Sequence, residues 1–451
     1  MNLILNLIQM VRTKNKPAKF HWLRTLVLIV IAGYTSQALG VLTIEVNKGV
    51  DAGIPIAVVP FGLEGLSAME SFPADVIESD LDSSGKFDAV PRDTFLSKPT
   101  DLKSVQYKDW RLIKAEALVV GKVINIGNGQ LEVRFRLIDV FRERQLAGQK
   151  FIIPQNRIRK VAHQISDIIY QQLTGTRGAF DTKIAYVTVE GQEPSRKFLL
   201  QIADSDGYGP KTVLQSSQPI LSPAWSPDGS WLAYVSFEKK RPTIYMQNVW
   251  SGERQLIAEF QGLNSAPSFS PDGRSLAMTL SKDGNPDIYI YDINNKSLRR
   301  ITKHPAIDTE PSWSPDGRSI VFSSGRSGAP QVFEMSSSGG APKRLTFSGK
   351  YNAGPSYAPD GKSIVLITDQ GNGFRVGLYS SEDRTVTELT KTTQDESPTF
   401  APNGEMIIFA TQQGGRNVLS AVSKDGNVQQ TLRFQQGSVR EPAWSPFNRK
   451  L

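Results

Sequence analysis

The sequence holds few residues arranged for covalent chemistry. Its 451 residues include no Cys and three His, which removes thiol nucleophiles, disulfide scaffolds, thiolate zinc sites and lipid attachment through Cys. There is no G-x-S-x-G elbow and no G-x-x-x-x-G-K phosphate loop. His163 reads as a surface residue on a helix flank and His304 as a turn residue, so a serine-histidine triad or a histidine metal site would have to join two distant, exposed rings. Asp204-Ser205-Asp206-Gly207 starts like a calcium loop, but the third acidic position and the distal Glu are not in place, and the stretch reads as a turn between strands. The expectation is a protein without catalytic, cofactor or metal residues. The stronger signal is electrostatic. Asp308 and Glu310, Asp395 and Glu396, and Glu441 beside Arg440 gather just ahead of a recurring Pro-aromatic phrase, with Leu263, Asn264, Ala266 and Asn352 to Gly354 as counterparts in other copies. Such an acidic rim suits a cation or a partner with basic groups, the alternative being a solvated loop edge.

These residues need a scaffold, and the scaffold is written as a repeat. PAWSPDG begins at Pro223, PSFSPDG at Pro267, PSWSPDG at Pro311, PSYAPDG at Pro355, PTFAPNG at Pro398 and PAWSP at Pro442, so successive prolines lie 44, 44, 44, 43 and 44 residues apart. The aromatic of each phrase (Trp225, Phe269, Trp313, Tyr357, Phe400, Trp444) sits in a short strand. Ser-Pro-Asp-Gly is hairpin-turn chemistry, because Pro presets φ, Asp bonds the local backbone and Gly accepts positive φ. Further short strands follow, such as Leu232 to Val235, Asp287 to Tyr291 and Arg299 to Thr302. Four antiparallel strands in each period make a propeller blade. The array opens at Lys183 to Thr188, a second-strand sequence with no phrase before it, and Pro442 to Pro446 is a surplus first strand at the other end. Joined, the two fragments complete one blade, giving six blades closed by a C-terminal strand that covers an otherwise open edge. An open solenoid would carry polar caps instead of complementary ends. The loops ahead of each phrase then surround the central channel on one face.

Residues 41–176 lack the period. Leu42 to Val46 alternates weakly and Gly53 to Phe61 is a buried-strand candidate. Ser71 to Leu81 reads as a short helix ending near Gly85, and Ala117 to Ile126 with Leu131 to Val140 as a hairpin about Gly127-Asn128-Gly129. From Gln155, the apolar positions Ile158, Val161, Ala162, Ile165, Ile168, Ile169 and Leu173 form one stripe of a helix ending near Gly175. The fold class is therefore an α/β N-terminal domain followed by an all-β propeller. Ahead of both, Arg12, Lys14, Lys16, Lys19 and Arg24 precede the apolar run Leu26 to Tyr34 and the small-residue stretch ending at Gly40. That order is a secretory signal, and an apolar run of about 10 residues is half of what a membrane span needs. The domain plan is thus a signal peptide over 1–40, an α/β domain over 41–176 and a propeller over 177–451. The formal charge of +8 falls to +3 once the five basic leader residues go, so the basic balance does not point to nucleic acid.

A signal peptide, an α/β domain, six PxWSPDG-type repeats and no Cys together resemble the TolB family, the periplasmic component of the Tol-Pal envelope system of Gram-negative bacteria. The resemblance covers the whole mature chain. It rests most on Ile44-Glu45-Val46-Asn47-Lys48-Gly49-Val50 followed by IPIAVVPF, and on the closing EPAWSPF. It implies a non-enzymatic adaptor, without cofactor and peripheral to membranes only through its partners. Such an adaptor links the lipoprotein Pal to the inner-membrane protein TolA and supports outer-membrane integrity and envelope constriction at cell division. The mouth would hold Pal, with colicin translocation domains competing for it. Matched by motif, the Pal-facing positions are Leu263, Asn264, Ala266, Thr309 and Glu310, to which the acidic rim adds Asp308, Glu396 and Glu441. The implied TolA contact is the mature N-terminal segment, Val41, Leu42, Thr43, Ile44, Glu45, Val46 and Asn47, either free or folded back and so coupling the two sites. A secreted propeller hydrolase and a glycan-binding propeller are the alternative readings of this fold.

Overall fold

The computed structural model describes residues 43–48 (by their backbone), 53–67, 69, 72–433 and 437–448. The predicted leader, Val41, Leu42 and Ser71 lie outside the described residues. The N-terminal domain is built on strands β2 (Ile54–Val58), β3 (Gly62–Glu64), β4 (Phe87–Ala89), β5 (Ala117–Gly127), β6 (Gln130–Asp139) and β7 (Arg144–Pro154), which follow β1 (Thr43–Lys48) in the chain. The sheet order is β4-β2-β5-β6-β7, with β3 also on β5. β2 runs parallel to β4 and β5, and β5, β6 and β7 are antiparallel. Helices α1 (Pro73–Ser83) and α3 (Ile158–Thr174) pack on one face, where Ile77, Leu81, Ala162, Ile165 and Ile169 meet Ile56, Val58, Val119, Val133 and Phe135. The short α2 (Tyr107–Leu112) lies between them in sequence and sends Trp110 to the other face, against Ala57, Leu118, Val120 and Ile138. Covered on both sides, β2 and the start of β5 read as unbroken apolar runs. Pro73 presets the first turn of α1, which therefore starts two residues later than the predicted Ser71. Gly175 ends α3 at φ 81°, its N–H on the Gln171 carbonyl at 2.9 Å.

The rest is a closed propeller of six four-stranded blades, five continuous in sequence and one shared between the ends. The shared blade pairs β8 (Lys183–Glu190), β9 (Lys197–Asp204) and β10 (Lys211–Ser216) with the closing strand Ser438–Trp444, register Ser438↔Val189 to Trp444↔Ile184. Each innermost strand carries the phrase aromatic, and these side chains tie blade to blade: Trp225 Nε1 donates to the Ala443 carbonyl and Trp313 Nε1 to the Ser268 carbonyl, both at 3.1 Å. The turns hold a second ring. A Cβ on Gly273 would meet Pro227, on Gly317 Pro271, on Gly361 Pro315 and on Gly404 Pro359, and across the closure Gly229 faces Pro446 at 3.6 Å. All five glycines have φ between 68° and 76°, so the position asks for Gly through its backbone and through the neighbouring proline.

β1 does not join the N-terminal sheet. It adds a fifth strand to the outer edge of the fifth blade, antiparallel to Val428–Arg433, with register Thr43↔Arg433 to Lys48↔Val428. The N-terminal domain meets the same blade through the turn after α1, where Gly85 abuts Val428 and Lys86 lies 4.0 Å from Glu405. Among the described residues, no helix is long and apolar enough to cross a membrane.

Candidate functional site

The innermost strand of each blade is broken at one equivalent place. The ladder shifts between Leu221 and Ala224, Ser265 and Ser268, Thr309 and Ser312, Ala353 and Ser356, Glu396 and Thr399, and Arg440 and Ala443. The residue ahead of each phrase proline is left-handed: Ser222 (φ 51°), Ala266 (48°), Glu310 (57°), Gly354 (62°), Ser397 (53°) and Glu441 (54°). A bulge of this kind re-aims a side chain and bends its strand. Repeated six times around the axis, it turns one ring of residues toward the channel.

That ring is stitched across blades by its own amides. The Ser222 N–H donates to Glu441 Oε2 at 3.1 Å, the Glu310 N–H to Thr279 Oγ1 at 3.3 Å and the Gly354 N–H to Glu310 Oε2 at 2.9 Å. Ser323 Oγ donates to the same Glu310 oxygen at 2.8 Å. Carboxylates from the third, fifth and sixth blades converge here. Burial, then the Glu396 carboxylate, with a smaller push from Glu310, raises Glu441 to about 7. Burial likewise raises Glu396, against the opposing pull of Arg440. Unlike charges would lower these values, so at Glu396 and Glu441 burial and like charge outweigh the pull of Arg440.

Two family models match in succession, the TolB amino-terminal domain over residues 42–146 and the TolB beta propeller domain over residues 170–448. The chain belongs to the TolB family. It is 56% identical over 422 residues to the Tol-Pal system protein TolB of Nitrosococcus oceani, covering 93% of this chain and 97% of that one. It is 57% identical over 414 residues to the protein of the same name from Methylobacillus flagellatus, covering 92% and 95%. The crystal structure of TolB from Acinetobacter baumannii superposes with a TM-score of 0.83 at 42% identity, over 90% of this chain and 100% of that one.

Within this TolB propeller the sequence-selected residues divide into two groups. Leu263, Ala266, Glu310, Glu396 and Glu441 are half-buried at the mouth. Asn264, Asp308, Thr309 and Asp395 lie inside the protein. Asn264 Nδ2 donates to the carbonyls of Pro242, Phe260 and Gly262, and its Oδ1 accepts the Phe260 N–H at 3.0 Å. Asp308 pairs with Arg326 at 2.6 Å and accepts from Ser324 Oγ. Asp395 accepts from Thr390, Thr392 and the Val376 N–H. Asn264, Asp308 and Asp395, together with Asn352, which donates to Gln331 Oε1 and the Ser348 carbonyl, occupy the same place two residues ahead of the left-handed one. They are loop caps, so the acidic rim rests on three glutamates, not five carboxylates. The shared Asn or Asp at that place in four repeats was the available signal.

His163 also differs from expectation. It is 2% exposed and is paired with Asp80, because the flank of α3 that carries it faces the propeller, not water. His304 is half-buried in its turn and accepts the Ala306 N–H. Asp204-Ser205-Asp206-Gly207 is the turn after β9. Of the predicted TolA segment, Thr43 to Asn47 form most of β1.

Proposed function

We propose that this TolB family member is a periplasmic, non-enzymatic adaptor of the Tol-Pal complex that takes Pal at the propeller mouth. Its contact residues are Leu263, Ala266, Glu310, Glu396 and Glu441, held in place by the buried Asn264, Asp308 and Thr309. The observation that carries this reading is the ring of six left-handed bulge residues, which sets Glu310 and Glu441 at the mouth beside Glu396. Such a preformed surface, whose side chains are already ordered, binds a partner at low entropic cost. The acid suits a Pal segment rich in donors or basic groups, and colicin translocation domains with the same chemistry would compete for it.

TolA is taken by the N-terminal segment from Val41 to Asn47. Support comes from the pairing of β1 with one sheet edge, since a strand held by a single ladder can leave it and add to another protein's sheet. Bridging the two partners is the means by which the protein serves outer-membrane integrity and constriction at division.

The test is co-purification from envelope extract with purified Pal and TolA as references. Glu310→Lys is expected to lose Pal at least tenfold while melting within a few degrees of wild type, and deletion of Leu42 to Val46 to lose TolA and keep Pal. Wild-type Pal affinity in Glu310→Lys sinks the mouth assignment, and retained TolA binding in the deletion sinks the segment assignment.

A further inference from the structure

Where α3 meets the sixth blade, charged groups from three elements are enclosed together. His163 Nδ1 is 2.8 Å from Asp80 Oδ2 on α1, and its Nε2 lies 4.0 Å from Asp206 Oδ2 in the turn after β9. His163 and Asp80 are 2% and 4% exposed. Nε2 is buried and makes no hydrogen bond. One helical turn before His163, Arg159 pairs with Asp206 and, at 3.6 Å, with Asp204, while its guanidinium stacks 4.0 Å from the Tyr208 ring. Lys183 pairs with Asp204. On the fifth blade, Glu405 and Gln430 line a cavity of about 50 Å³ that also touches Asp80 and Asp206. One turn after His163, Asp167 accepts the linker N–H groups of Phe180 and Asp181 at 2.7 and 3.3 Å.

We propose that this junction is a proton-operated clasp: protonated His163 bridges Asp80 of the N-terminal domain to Asp206 of the sixth blade, and loss of that proton loosens the domain from the propeller. Charge balance supports it. Asp80, Asp204 and Asp206 face Arg159 and Lys183, so the imidazolium is the cation that closes the count. An orphaned buried ring nitrogen aimed at a carboxylate is costly while neutral and becomes a donor once protonated. Burial works against the proton, but the charge and hydrogen bond of Asp80, with Asp204 adding, outweigh it and hold His163 above its ordinary value of 6.5. A divalent metal is the other species that three such ligands could take. The guanidinium already on Asp206 opposes a doubly charged ion there more strongly than the single charge that a proton on Nε2 adds.

The sign follows from linkage. A histidine whose value is raised by folding contributes fully below 6.5, and the contribution disappears as pH climbs through the raised value. Asp167, raised to about 7 by burial, also favours the protonated junction, so both groups loosen the linker on alkalinisation.

The test uses the full chain. Imidazole NMR between about pH 5 and 9, with the His163 signal assigned by its absence in His163→Gln, is expected to give a midpoint above 6.5 that Asp206→Asn moves down. A midpoint at or below 6.5, or one that Asp206→Asn leaves in place, overturns the clasp. Amide exchange across Thr176 to Lys183, corrected for its intrinsic pH dependence, is expected to speed up on alkalinisation in wild type and to do so less in His163→Gln, Asp167 supplying what is left. Equal slopes overturn the clasp even if the NMR midpoint is raised. Stoichiometric zinc binding that His163→Gln abolishes would replace the proton by a metal. If the Gln variant fails to fold, the wild-type signal, assigned by Asp206→Asn, still decides.

Discussion

Glu441 pulls stability and binding in opposite directions, and Glu441→Gln separates them. In the folded protein burial and the Glu396 charge carry this carboxyl from 4.5 to about 7. For an acid raised by folding, the native state holds the proton more tightly than the unfolded chain, so stability falls as pH rises from 4.5 toward 7 and stays reduced above. At about 1.36 kcal/mol for each pH step, the ionised group costs up to about 3 kcal/mol at pH 8. Its partial exposure reduces the figure to about 1–2 kcal/mol. Gln is isosteric, keeps an acceptor for Ser222 and carries no charge. Glu441→Gln should therefore melt a few degrees higher than wild type at pH 8 and at the same temperature near pH 4. Thermal unfolding of both proteins at matched ionic strength measures the difference. An equal gain at both pH values, or a loss at pH 8, would show that ionised Glu441 is already compensated in the free protein. Under the proposed function the same variant binds Pal more weakly, because a donor or cation set over Glu396 and Glu441 relieves the very repulsion that Gln has removed.

Other outcomes test the scaffold. Ser314 Oγ donates to Asp316 Oδ1 at 2.6 Å and accepts the Ser319 N–H at 2.9 Å, so Ser314→Ala should lower stability by about 1–2 kcal/mol in denaturant titration; no change would make the turn serine decorative. Deleting Arg440 to Leu451 removes the ladder on β8 and the Trp225 acceptor on Ala443. Amide protection across Ile184 to Val187 should then collapse together with a lowered melting temperature, and retained protection would contradict closure through that strand.

Much of the fold was legible because each blade obeys the same local rules. Pro and Gly fix the turn, alternation marks the strands, and the complementary ends at Lys183 and Trp444 announce closure. The seat of β1 was not, since its partner strand Val428–Arg433 lies almost the whole chain away and no local pattern names a partner. The bulges were hidden for a different reason. Positive φ is read from Gly, and only Gly354 among the six has it, while Ser222, Ala266, Glu310, Ser397 and Glu441 adopt it as ordinary residues. His163 shows the limit of periodicity: the stripe on α3 marks the sheet-facing side, and nothing in a single helix says that the adjoining flank is covered by another domain. The acids ahead of the phrases were counted alike in sequence, yet Asp308 has an ion pair with Arg326, while Glu441 has the Ser222 N–H and the pull of Arg440 against burial and two other glutamates.

The mouth is where this fold is least comfortable, and the discomfort is informative. A left-handed backbone costs an ordinary residue roughly 1–2 kcal/mol relative to its preferred conformation, and five of the six ring positions carry that cost. Gly at every position would relieve it and keep the link from the residue 310 N–H to Thr279 Oγ1, but the Ser222 and Gly354 N–H groups would lose their carboxylate acceptors. What Gly could not supply is the carboxylates of Glu310 and Glu441, which the bulge turns into the channel. The ring around them explains how they are tolerated: the Trp225 and Trp313 bonds and the Gly-Pro contacts tie the turn end of the innermost strands to the neighbouring blade, so one blade cannot relax alone. The strained conformation and the raised carboxyl thus occur at the same residue, Glu441, and a partner that neutralises it would gain affinity from repulsion already built into the free protein. Relieving that repulsion by substitution should stabilise the propeller and weaken its docking face together, a coupling that purely structural glutamates would not produce.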